Sequence, residues 1–197
     1  MDSTKDCKGD EIDNLVENIS TKLEIKVRPT FIINNNPIRA AGILCYVYDN
    51  IKKKRIWLMR KEDKNSSSYF CDTGGKTDSC DKSPVDTAIR ETVEETNGHL
   101  FSKNHTNEKC SEILNQLFDF KSSNKNIKSI YSREGKYILY LLKLRYNTIN
   151  KSLDRFGRLE KSSGGKNIKS HAYFWLDELP FEDLHPRLQP IYKQIIS

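Results

Sequence analysis

Apolar positions along the chain follow two periods. Residues 39–48 (RAAGILCYVY) are apolar nearly without a break, the pattern of a strand buried on both faces, and predict a central strand. Residues 55–60 (RIWLMR) form a second apolar run, and the basic turn at 49–54 makes the two a hairpin. Upstream, residues 25–33 (IKVRPTFII) predict a strand interrupted at Pro29, followed by the turn cluster 34–37. A polar loop over 62–68 leads to a short strand at 69–73, which runs into Gly74-Gly75. Residues 129–131 and 137–145 (YILYLLKLR) predict strands around the turn 133–136, and residues 171–175 (HAYFW) one more.

The other period is helical. Ser83 is a good N-cap, Pro84 suits the first helical position, and Asp86 stands three residues past the cap. Val85, Ala88, Ile89, Thr92 and Val93 then recur as one buried stripe, and Asn97-Gly98 tolerate the left-handed conformation that ends a helix. Ile113, Leu114, Leu117 and Phe118 mark a second short helix over 110–118. A last helix is expected from His185-Pro186-Arg187 to Ile196, with the stripe Leu188, Ile191 and Ile195. Leu15, Ile19 and Leu23 share one helical face within an otherwise polar start, and residues 148–170 read as a long polar surface loop.

Composition narrows the class. A chain of 197 residues suits one domain plus an extension, and 30% charged residues against 36% hydrophobic ones leave a highly solvated surface. The net charge of +6 and a pI near 9.0 favour anionic partners. Five cysteines, Cys7, Cys45, Cys71, Cys80 and Cys110, never pair as C-x-x-C, so we expect reduced thiols in an intracellular, cytoplasmic protein rather than a disulfide frame. No stretch is long and apolar enough to span a membrane, and the polar N-terminus is not a secretory signal. The basic runs 52–55 and 121–145, with Tyr131, Tyr137 and Tyr140 interleaved, admit RNA as a partner, against ordinary sheet packing of the tyrosines. His99, His105, His171 and His185 show no metal-ligand spacing.

The chemistry concentrates between Gly74 and Leu100. On the predicted helix, Glu91, Glu94 and Glu95 cluster opposite the apolar stripe, and Arg90 lies one turn before Glu94. Oxygen-only donors in a tight group suit Mg²⁺ or Mn²⁺, and a double glycine lets backbone or ligand come close. The segment resembles the signature of the Nudix hydrolases, G-x5-E-x7-R-E-U-x-E-E-x-G-U with U apolar. Gly75 matches the first glycine and residues 90–95 (RETVEE) the core, with Thr92 at the apolar position. The loop is one residue longer than the pattern, so the upstream Glu falls on Asp81 or Lys82, of which we take Asp81; Asn97 stands for the closing glycine. Residues 171–180 and the terminal helix also resemble the end of a Nudix domain.

The resemblance implies an α/β/α sandwich with a mixed central sheet and the carboxylate-bearing signature helix, occupying 36–197 after an extension at 1–35. It implies a hydrolase that cleaves a diphosphate linkage with Mg²⁺ or Mn²⁺. Metal ligands would be Glu91, Glu95, Glu94 and Gly75, with Glu94 as ligand or general base and Arg90 steadying a carboxylate. A further acidic group is expected from Glu134, Asp154 or Glu160, and Lys76 and Arg39 are candidate substrate contacts. The substrate stays open among nucleotides, dinucleoside polyphosphates, capped RNA and diphosphoinositol polyphosphates. The alternative is a module of the same fold that binds nucleotide or RNA with little turnover.

Overall fold

The computed structural model describes residues 28–64, 67–102, 104–119, 125–150 and 172–197. The helical face at Leu15, Ile19 and Leu23, most of the loop 148–170, and the candidates Asp154 and Glu160 lie outside them. The chain enters through a hairpin of β1 (Phe31–Ile33) and β2 (Asn36–Ile38). Asn34 and Asn35 make its turn with φ of 49° and 62°, the left-handed pair that a two-residue hairpin loop needs. Of the strand predicted over 25–33, residues 25–27 lie outside the described residues, 28–30 around Pro29 are not strand, and β1 begins at Phe31.

Next come β3 (Ala40–Asp49), β4 (Lys54–Lys64), β5 (Ser67–Cys71) and β6 (Thr73–Lys76). Helices α1 (Pro84–Thr96) and α2 (Asn107–Asp119) follow, then β7 (Ile127–Ser132), β8 (Tyr137–Lys143) and β9 (Ala172–Leu176). Strands β3 to β9 form one seven-stranded mixed sheet in which β3 runs parallel to β8 and the other pairings are antiparallel. β3 is the middle of it, as its unbroken apolar run required.

One face of the sheet packs under α1 and α2. Ile43, Cys45 and Val47 of β3 and Ile138, Tyr140 and Leu142 of β8 meet Ala88, Ile89, Val93, Leu114 and Phe118 there. The opposite face, carrying Leu44, Trp57, Met59, Leu139 and Leu141, is covered by Leu179, Leu184, Leu188, Ile191 and Ile195 from the C-terminal segment. Three layers result, which is the expected α/β/α arrangement. The third layer differs in detail: instead of one helix from His185, the chain makes tight turns at Phe181–Asp183 and Gln189–Ile191, and α3 spans only Tyr192–Ile196. Pro190 has no N–H to give, so the chain keeps 3-10 turns until it is past the proline. The stripe Leu188, Ile191 and Ile195 is buried all the same. Tyr137 and Tyr140, each 1% exposed, are core residues and offer no stacking surface.

The sheet forks, and the fork positions the site. β3 pairs with β4 only over 45–49, and over 40–43 it pairs with β6 instead. The segment predicted as one strand over 69–73 breaks at Asp72: β5 before it pairs with β4, and β6 after it pairs with β3. Gly42 and Gly74 face each other in the register of this crossing, where a side chain on either would strike the opposite backbone. Among the described residues no helix is long and apolar enough to cross a membrane.

Candidate active site

α1 is built as its sequence prescribes. Ser83 Oγ accepts from the Asp86 N–H at 3.2 Å, Pro84 opens the helix, and the Asp86 carboxylate accepts from Lys82 N at 3.0 Å. At the other end Asn97 takes φ 49° and Gly98 φ 71°; Gly98 N donates to Val93 O and Asn97 N to Glu94 O, the paired bonds of a Schellman cap. Asn97 thus does the work of the glycine it replaces.

Arg90 ties the helix to the loop before it. Its Nε and Nη2 each lie 3.0 Å from the two oxygens of Asp81, and Nη2 also donates to Lys76 O at 3.0 Å. Asp81 in turn accepts from Asp78 N at 2.7 Å and Thr87 Oγ1 at 2.8 Å. Burial would raise the Asp81 carboxyl, but Arg90, the Asp78 amide and Thr87 together hold it below the usual carboxylate range. The longer loop is therefore pinned by the shorter acid. The third nitrogen of Arg90 lies 2.7 Å from Glu91 and 3.7 Å from Glu94.

Glu91 and Glu94 open on a cleft of about 750 Å³ that is also lined by Arg28, Gly75, Lys76, Thr77, Asp78, Cys80 and Arg90. The Glu91 carboxylate lies flat against Gly75, in the space a side chain there would fill. Of the expected site residues, the structure brings Gly75, Lys76, Arg90, Glu91 and Glu94 together. Arg28 joins them from just before Pro29, where nothing in the sequence pattern marked it. Arg39 is not part of the lining and its Nε donates to Thr30 at 3.1 Å; Glu134 stands exposed in the β7–β8 turn, also away from the cleft.

Glu95 is the departure. The resemblance groups it with Glu91 and Glu94 as a metal ligand; it is 7% exposed and turns into the fork of the sheet. One oxygen lies 2.7 Å from Arg60 Nη1 and the other accepts from Gly74 N at 3.1 Å. Burial pushes its carboxyl up, against the pull of Arg60 and Arg187. Beside it Arg187 holds Asp72 with Nε at 3.0 Å and Nη2 at 2.8 Å, and reaches Gly74 O at 3.1 Å. The Tyr137 hydroxyl donates to the other Asp72 oxygen, and burial beside that oxygen pushes its ionisation well up. Arg60, Asp72, Tyr137 and Arg187 were not assigned to this site by the sequence reading. The only hint was a charge bounding each of two apolar runs, too weak to single out.

Oxygen donors that open on a cleft beside cations suit a hard dication bound with phosphate. Glu91, Glu94 and the Gly75 backbone meet that in kind and in exposure. Among the described residues, however, no group of three or more His, Cys, Asp or Glu side chains is gathered as a metal site. Glu95 is paired with Arg60 at the fork and is not among the residues that line the cleft.

Solved structures similar to this chain are Nudix proteins. They include an Ap4A hydrolase of C. elegans in a binary complex, at 15% identity over 80% of this chain and 95% of that one, with a TM-score of 0.42. The NUDIX domain of Shewanella oneidensis NrtR complexed with ADP ribose matches at 12% identity over 92% and 98% of the two chains, TM-score 0.40. A MutT/nudix family protein from Enterococcus faecalis matches at 15% identity over 87% and 57%, TM-score 0.35. No protein-family model and no curated protein matches the chain. Superpositions this loose leave the chemistry to be argued from the chain's own residues.

Proposed function

We propose that the protein is a Nudix-type hydrolase that cleaves a diphosphate linkage in a nucleotide or other polyanionic substrate with Mg²⁺ or Mn²⁺. The observation that carries this reading is the shared cleft: Glu91 and Glu94 face it from one helix, Gly75 borders it, and Lys76 and Arg28 supply positive charge for phosphate. Bound there, the dication would neutralise phosphate charge and lower the pKa of a coordinated water. Glu91, Glu94 and the Gly75 backbone would hold it, with Glu95 as a further ligand. Arg90, itself fixed by Asp81, sets the direction of the Glu91 carboxylate. Glu94, the most exposed of the three carboxylates, would take the proton from water.

A second reading, a binding module with little turnover, draws support from the Arg60–Glu95 pair, which keeps the third carboxylate out of the cleft. One assay separates the two. Release of phosphate or nucleotide is measured over a panel of nucleoside diphosphate derivatives, dinucleoside polyphosphates, capped RNA and diphosphoinositol polyphosphates, with Mg²⁺ or Mn²⁺ and with EDTA. We expect turnover that EDTA abolishes, and a loss of about a hundredfold or more in Glu94→Gln at nearly unchanged melting temperature. Substrate binding without turnover would favour the module, and turnover indifferent to EDTA would reject the metal.

A further inference from the structure

Arg60 sits between two carboxylates at the fork of the sheet. It is 6% exposed, its Nη1 lies 2.7 Å from Glu95 and its Nη2 3.3 Å from Glu62, while its buried Nε has no hydrogen-bond partner. An unpartnered buried N–H costs free energy, so this guanidinium is not in an optimal resting place. Glu62 lies two residues along β4 and its side chain is 27% exposed, against 9% for Glu95. The two acids therefore compete for one cation, and the more buried of them is the carboxylate missing from the cleft.

Building on the metal-dependent reading above, we infer that Arg60 is the resident counter-ion of Glu95 and competes with the metal for it. In the metal-free protein the guanidinium compensates a carboxylate that could not stay charged and buried alone. When the dication is taken up, Glu95 exchanges Arg60 for the ion and Arg60 rests on Glu62. Arg60 is thus a positioning residue that lowers metal affinity while preserving the empty site, and Glu62 raises that affinity by giving Arg60 somewhere to go. The arrangement accounts for both features left over at the site: an incomplete carboxylate cluster, and an arginine shared between two acids with a nitrogen to spare.

The test is calorimetric titration of Mn²⁺ into chelator-stripped wild-type protein, Arg60→Gln and Glu62→Gln, with melting curves with and without the ion. Arg60→Gln is expected to bind Mn²⁺ about fivefold tighter and to gain more melting temperature from it than wild type, because the competing cation is gone. Glu62→Gln should bind about threefold weaker, since Arg60 then has only Glu95. Both differences should persist at about 0.5 M salt, where a diffuse field is screened but a contact at the fork is not. Unchanged or weaker binding by Arg60→Gln overturns the inference. Should that variant fail to fold, unchanged or tighter binding by Glu62→Gln overturns it equally. Equal affinities in all three proteins leave the hydrolase reading intact and remove only the exchange; a wild-type protein that takes up no Mn²⁺ removes both.

Discussion

Two adjacent glycines show how differently neighbouring residues serve the site. A β-carbon at Gly74 would stand 2.6 Å from Gly42 Cα and 2.8 Å from Ala41 O, against backbone that cannot yield. A β-carbon at Gly75 would first meet the carboxylate of Glu91, the far end of a flexible side chain. Gly74→Ala should therefore cost stability, about 1–3 kcal/mol as overpacking does, seen as a lower melting temperature. Gly75→Ala should melt close to wild type yet lose at least about tenfold in kcat, because Glu91 is pushed off its seat. Full activity in Gly75→Ala would show that the seat is irrelevant to the reaction. Glu91 and Gly75 were both legible in the sequence as members of a spaced motif. Their contact was not, because it depends on how far α1 stands from β6.

At the scale of elements, α1 and its loop were the most readable part of the chain. Capping and termination are written in consecutive residues, and Ser83, Pro84, Asn97 and Gly98 each occupy the position their local chemistry favours. The apolar stripe and the hairpin β7–β8 were equally local. What escaped was the fork: β5 and β6 look like one strand because nothing short-range marks Asp72 as the point where pairing changes partner. The partner of Glu95 escaped for the same reason, since a helical wheel shows where a residue points but not that an arginine from β4 waits there. The Asp81–Arg90 clamp makes a prediction at this scale. Asp81 has a folded pKa below its unfolded one, so it stabilises the protein above the unfolded carboxylate pKa and loses that contribution as pH falls through the folded value. Asp81→Asn should then be less stable by about 2 kcal/mol at neutral pH, a buried ion pair having lost one partner while Arg90 keeps Glu91. Its deficit in chemical denaturation should shrink as pH drops below about 4, near the unfolded value. A deficit that is constant with pH would mean that the clamp acts through shape and not charge.

Over the whole molecule, the C-terminal segment is joined to the strand that borders the candidate site by Arg187, which binds Asp72 from 115 residues away and also holds Gly74 O. The Asp72 side chain is fully buried and that of Arg187 is 18% exposed, Arg187 lies 5.1 Å over the Tyr137 ring, and the guanidinium stays charged because Asp72 and its neighbours outweigh burial. Such a pair contributes less by its own energy than by what its partners would suffer without it, since either charge alone would be buried uncompensated. Arg187→Met should accordingly cost about 3–5 kcal/mol, and Asp72→Asn a similar amount. In the double variant no lone charge remains, so its cost should fall short of the sum of the singles by at least about 1 kcal/mol in a denaturation cycle. Arg187→Met should also lower kcat in the fraction that stays folded, because Gly74 and the Glu95 oxygen it binds lose an anchor. Strictly additive costs would mean that the C-terminal segment folds against the sheet for packing alone, through Leu184, Leu188 and Ile191. In that case the fork would keep its shape without any charge from the third layer.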